Sequence, residues 1–214
     1  MHAPLYVPPC DILVHCGDGT NHGTIDSLLA FNAWCGHMKR NVCRDIVFVP
    51  GNHDKNLDFL TSESPELYRK ACAAMSNVIL LDSAAVEVQG LKFYGSPLTR
   101  TRSGKWGFNI TSESAAFVEF SKIPYDLDVL VTHSPPYGIL DLVERDDRSE
   151  RTGSVSLRDI VLTRRPRFHA FGHIHEGYGR MRESGIEFIN ACSCDAKRLP
   201  VNDAILVNIP VRAQ

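Results

Sequence analysis

The sequence predicts a layered α/β protein, and three observations lead there. Short apolar runs alternate with longer stretches whose apolar residues recur at helical spacing. Several runs stop abruptly at Gly or Pro, as buried strands do where the chain leaves a sheet. Between Val78 and Tyr94 the pattern changes to short strands around a Gln89-Gly90 turn. Hairpins therefore join the strand–helix units, and the sheets should be mixed.

Ile12-Leu13-Val14 is the first apolar run and ends at Gly17-Asp18. Thr24 to Gly36 places Ile25, Leu28, Leu29, Ala33 and Trp34 at helical spacing, with Gly36 as the expected stop. Asp45 to Val49 is a second buried strand, closed by Pro50-Gly51. Pro65 to Ala74 reads as a helix with proline in its first turn, where no amide bond is lost, and Glu66 at the positive end of the dipole. Val78–Leu81, Val86–Val88 and Leu91–Tyr94 supply the meander. Asp128 to Thr132 is a strand that ends in His133, a helix from Ser154 to Thr163 leads to Pro166, and a strand from Phe168 ends at Gly172. Ile186–Ile189 and Ala204–Ile209 close the chain as strands, while the alternating charges from Glu144 to Arg151 read as an exposed loop.

Composition narrows the class. A chain of 214 residues can bury about 70% of its unfolded surface in one core. Without repeats or a linker, residues 1–214 are expected to form one domain. Hydrophobic content of 43% with 22% charged residues excludes disorder and a coiled-coil rod. No apolar run approaches the ~20 residues that cross a bilayer, so no membrane partner is expected. A net charge of -2 argues against a duplex nucleic-acid partner, and hence against a nuclease. Seven scattered cysteines, an odd number with no signal peptide before them, suit free thiols in a reducing, cytoplasmic setting. Cys192-Ser193-Cys194 is too closely spaced for a usual structural zinc half-site.

The chemistry sits where the apolar strands end. Four polar turns follow them: Gly17-Asp18, Gly51-Asn52-His53-Asp54, Thr132-His133-Ser134-Pro135-Pro136 and Gly172-His173-Ile174-His175-Glu176. Ligand sites in layered α/β proteins collect at the carboxyl ends of strands, so these turns can converge. Their carboxylate, amide and imidazole groups are oxygen and nitrogen donors suited to Zn, Mn, Fe or Ni. Each histidine alone is more often a hydrogen-bonded loop residue; four of them with Asp18 and Asn52 outweigh that reading. His15 and His169 lie within strands and are expected to pack, His37 to sit at a helix end, and His22 to lie near the site without a role in it.

The four motifs in this order resemble the calcineurin-like metallophosphoesterases. The runs Val131-Thr-His-Ser-Pro-Pro136 and Phe171-Gly-His-Ile-His-Glu-Gly-Tyr-Gly179 are similar to that family's small phosphodiesterase branch. Gly95-Ser96-Pro97, Gly107-Phe108-Asn109 and Phe188-Ile189-Asn190-Ala191 extend the likeness over nearly the whole chain. The resemblance implies an α-β-β-α sandwich of two mixed sheets flanked by helices, with two divalent metal ions as cofactors. Asp18 would bridge them, Asn52, His133 and His173 would complete the second site, and His175 would serve the first. His53 would contact the phosphate and protonate the leaving group, with Asp54 orienting its ring. The implied reaction is hydrolysis of a small phosphoester, a nucleotide-type diester above all, by in-line attack of a metal-bound hydroxide. The family's Asp-x-His motif has no counterpart upstream of Val7. The expectation is then a first strand missing, a first metal left with Asp18 and His175, and a chain unstable when expressed alone. The alternative is an impaired member that binds one metal or a phosphorylated ligand without efficient turnover. Outside the motifs, Arg100, Arg102 and Trp106 read equally as a solvated loop or as a substrate lip of cations and an aromatic face.

Overall fold

The computed structural model describes residues 5–100, 106–145 and 148–212. In chain order its elements are β1 (Ile12–His15), α1 (Ile25–Asn41), β2 (Asp45–Phe48), α2 (Pro65–Ala74), β3 (Ile79–Leu80), β4 (Ala84–Val88) and β5 (Leu91–Ser96). There follow α3 (Glu113–Phe120), β6 (Val129–Thr132), β7 (Leu142–Arg145), β8 (Arg148–Arg151), α4 (Val155–Arg164), β9 (Phe168–Phe171), β10 (Gly179–Glu183) and β11 (Ile186–Asn190). The helices start on hydroxyl caps: Thr24, Ser64, Ser112 and Ser154 each accept a backbone N–H of the first turn.

Strands β1, β2 and β3 form a parallel sheet in that order. The larger sheet runs β10-β11-β9-β6-β5-β4 and is mixed, parallel in the middle and antiparallel at both ends. Strand alternation builds the layers. Ile46 and Phe48 turn outward to meet Leu28 and Phe31 of α1 and Ala71 of α2. Val47 and Val49 turn inward, where Phe93, Val129 and Val131 of the larger sheet meet them. On its far face that sheet offers Leu130, Phe171 and Phe188 to Phe120 of α3 and Leu157 of α4. The result is the α-β-β-α order that the motifs imply.

Several expectations need correction. Gly36 does not stop α1, which continues to Asn41. A Cβ there would come within 2.9 Å of the Asn77 side-chain amide, itself bonded to Asn32 O, so this glycine permits a close approach. His37 therefore lies inside the helix. Glu144, Arg145, Arg148, Glu150 and Arg151 belong to the paired strands β7 and β8 rather than to a loop. Ala204–Ile209 is not a strand: it joins no ladder among the described residues. Its burial nonetheless alternates with the period of an extended chain, and Ile209 packs on the core between the sheets. No described helix is long and apolar enough to cross a membrane.

His169, on β9, is fully buried beside Phe171 and Phe188. Its Nε2 stands 2.8 Å from Thr132 Oγ1, which donates to Ser134 O; the imidazole therefore donates through Nε2, and Nδ1 has no partner. Burial disfavours the cation and drops its pKa from the ordinary 6.5 to about 3. Below pH 6.5 the unfolded chain thus binds a proton that the folded chain refuses. Stability should fall as pH drops toward 3, by at most about 1.4 kcal/mol per unit from this group. In urea titrations between about pH 6.5 and 4.5, wild type should lose stability relative to His169→Phe. Parallel pH curves would refute the assignment.

Candidate metal centre

The four polar turns lie at the carboxyl ends of β1, β2, β6 and β9 and come together. Asp18, His133 and His173 offer ligand atoms within 4.8 Å of one another. Close approach of the turns depends on glycine. A Cβ on Gly17, which has φ +100°, would strike the His133 ring, and one on Gly51 would strike the Asp18 carboxylate. Asp18 and His173 themselves take left-handed backbone, φ 57° and 67°. Such strain persists only where surrounding contacts enforce it, and it concentrates at functional sites.

The donor chemistry fits a cation. His133 Nδ1 donates to the Cys16 carbonyl at 2.7 Å, so in the neutral ring Nε2 carries a lone pair. That lone pair faces Asn52 Oδ1 at 3.0 Å and Asp18 Oδ1 at 3.4 Å. Three electron-pair donors pointing at one another repel unless positive charge lies among them, and a divalent ion supplies it. A proton is the weaker substitute. Burial opposes a charge on His133, but the Asp18 carboxylate outweighs burial and raises its pKa. Burial likewise works against ionised Asp18, yet the charge and hydrogen bond of His133, with His53, hold it well below the usual carboxylate range. His173 packs edge-on to His133, ring centroids 4.9 Å apart, and burial keeps it neutral by lowering its pKa to about 3.

His175 lines the same cleft but lies outside the close cluster. Its Nδ1 donates to Asp195 O at 2.7 Å, which leaves Nε2 free to take a ligand role. His53 donates its backbone N–H to Asp18 Oδ1 at 3.0 Å, and its Nδ1 donates to the Asn21 carbonyl at 2.7 Å. Asp54 therefore does not orient the His53 ring, contrary to expectation. Its fully buried carboxylate accepts from Gly19 N, Thr20 N, Thr20 Oγ1 and Gly51 N, between 2.8 and 3.2 Å. Burial, then the nearby Asp18 charge, pushes its pKa up to about 6 despite these donors. Asp54 pins the Asp18 turn to the Asn52 turn. Gly19 is explained as well, because a Cβ would come within 2.8 Å of the Phe31 ring.

The lip is only partly as expected. Trp106 packs on His53, ring centroids 4.4 Å apart, and Lys55 Nζ lies 4.9 Å from the Trp106 ring centre. Gly107 N donates to Asn52 O at 3.0 Å and Phe108 N to Asp58 Oδ2 at 2.8 Å, which ties this segment to the ligand turn. Arg100 is instead paired with Glu113 at 3.1 Å, and Arg102 lies outside the described residues. Sequence reasoning missed Lys55 and Asn21, although each stands within a few residues of a ligand. Cys192 and Cys194 are free, and burial pushes the Cys192 thiol up to about 12.

Comparison with known proteins agrees with this geometry. The family profile described as calcineurin-like phosphoesterase matches residues 4–177. Metallophosphoesterase domain-containing protein 1 of Homo sapiens is 34% identical over 224 residues, which cover 97% of this chain and 67% of that protein. A UPF0046 protein of Caenorhabditis elegans is 32% identical over 228 residues, covering 96% of this chain and 56% of that one. Among solved structures, phosphopantetheinyl hydrolase from Mycobacterium tuberculosis shares the fold, with a TM-score of 0.57 at 15% identity over 96% of this chain and 89% of that chain.

Proposed function

The chain belongs to the calcineurin-like phosphoesterase family, whose chemistry is metal-dependent phosphoester hydrolysis, and from that premise we propose that it cleaves small phosphodiesters of the nucleotide type. The observation that carries this reading is the placement of His53 between the donor cluster and the Trp106 face. Asp18, Asn52, His133 and His173 would hold a divalent ion, which would supply Lewis acidity and offset charge on the phosphoryl oxygens. His175, with Nδ1 bonded to Asp195 O, would offer Nε2 to a second ion. Because His53 Nδ1 is committed to Asn21 O, its imidazolium form carries on Nε2 the proton that a leaving oxygen needs. Asp54 acts as a positioning residue, holding two ligand turns together.

Charge supports a diester over a monoester. A diester carries one negative charge, and among the described residues the rim beside Trp106 offers the ammonium of Lys55 while Arg100 is engaged by Glu113. With Mn and an aryl phosphodiester, His53→Ala should lower kcat by about 100-fold or more with little change in KM. Equal rates would reject the enzyme reading. Metal binding without turnover in wild type would favour the binding-only alternative.

Trp106 gives the substrate test. Stacking of a base or aryl group is worth about 1–3 kcal/mol, so Trp106→Ala should raise KM for a nucleotide diester about tenfold or more. An unchanged kcat/KM would remove the lip from the mechanism.

A further inference from the structure

Phe188-Ile189-Asn190-Ala191 contributes no donor to the metal cluster, yet Asn190, the last residue of β11, is fully buried. Its amide is engaged on both sides, each bond reaching a different stretch of chain. Nδ2 donates to Ile174 O at 2.9 Å and to Leu140 O at 3.1 Å, and Oδ1 accepts from Cys192 N at 3.0 Å. Two carbonyls and one N–H around the group fix which end of the amide is which.

These stretches are the ones that carry or hold the histidines. Ile174 stands between His173 and His175. Leu140 lies in the loop that His133 opens, ahead of β7. Cys192 begins the run to Asp195, whose carbonyl accepts from His175 Nδ1 at 2.7 Å. Strain marks the same places: His173 and Leu140 have left-handed backbone, φ 67° and 49°. Such residues persist where neighbouring contacts over-determine them. A Cβ on Gly177 would strike Leu140 O and come within 2.7 Å of Asn190 Nδ2, so the turn and the loop approach as closely as backbone allows.

We propose that Asn190 is a positioning residue of the metal centre: it sets the turn that carries His173 and His175 and, through Cys192, the carbonyl that orients the His175 ring. The inference rests on the reading of the cluster as a metal site and adds to it a residue that is not a donor. The residue type suits the task. A carboxamide supplies two donors and an acceptor in one plane without burying a charge, whereas a serine hydroxyl has one hydrogen to give.

Nitrogen NMR of the metal-free protein at about pH 8, where imidazoles are neutral, reads the His175 ring directly. In wild type the proton resides on Nδ1; in Asn190→Ala a second tautomer, protonated on Nε2, should appear. Mn affinity, measured by calorimetry, should fall about tenfold or more in that variant. Phe188→Leu, two residues earlier on the same face of β11, is the control for a merely structural role. It should lower stability in urea and leave both readings unchanged. Asn190→Asp keeps the size and, as the neutral acid that burial favours, the acceptor and one donor. Its Mn affinity should lie between those of Asn190→Ala and wild type, and it takes the place of Asn190→Ala if that variant does not fold. An unchanged His175 tautomer or unchanged Mn affinity would overturn the proposal. So would a loss of Mn affinity in Phe188→Leu as large as in the Asn190 variant. Wild type that bound no Mn would overturn the metal reading and this inference with it, whereas equal Mn binding by wild type and variant would overturn this inference alone.

Discussion

Asp18→Asn should lower Mn affinity, measured by calorimetry, by about 100-fold or more. Asp18 is the carboxylate of the donor cluster, and the cluster's other donors are neutral. Asparagine keeps the oxygen that accepts from His53 N and tolerates the left-handed backbone, so the fold should survive. Removing its charge also relieves the buried Asp54, whose pKa burial and then Asp18 raise. That relief is set against the lost attraction between Asp18 and His133, so the metal-free variant should still unfold cooperatively in urea. Undiminished Mn affinity would show that these donors do not form the metal site.

Gly51→Ala should be far more damaging than its single methyl suggests. The added Cβ would meet the Asp18 carboxylate and backbone nitrogen, and would lie 2.6 Å from His133 Cε1. Neither contact is with the far end of a flexible side chain. Relief requires two ligand turns to separate, at a cost of about 3 kcal/mol by the scale of overpacked sites, together with the donor geometry. Gly185→Ala is the informative control. It sits at φ +84° with nothing within 4 Å of an added methyl, so it should cost only the backbone strain of about 1–2 kcal/mol. Urea unfolding separates the two. Similar losses for both, with Mn binding intact in Gly51→Ala, would mean that the turns are not packed as tightly as described.

Much of the frame was legible because its signals are local. Pro65 and Ala74 bound α2 as expected, and the Gln89-Gly90 turn joins an antiparallel pair. The donors were legible because each follows a strand whose apolar run marks where the sheet ends. What escaped depends on distant partners. Nothing near Gly36 reveals that Asn77 must approach it, and nothing near His53 reveals that Asn21 O will hold its ring. Strand β8 is polar, with exposed or half-buried positions, so it lacks the alternation that announces a strand. Ala204–Ile209 has that alternation, but a ladder also needs a neighbour with free hydrogen-bonding groups in register. Asp54 shows the same limit. Its place beside His53 in sequence suggested that it steers the ring, whereas its four bonds reach across to the turn after β1 and back to Gly51.

That carboxylate also sets the tempo of the site. Neither the Asp18 turn nor the Asn52 turn can swing away without surrendering Asp54 bonds anchored in the other. Their excursions are therefore correlated, and brief openings take both turns at once or neither. An ion held between them would leave through a joint opening rather than by the loosening of one donor at a time. Its residence time would then depend on the bonds of Asp54, a residue outside the donor cluster.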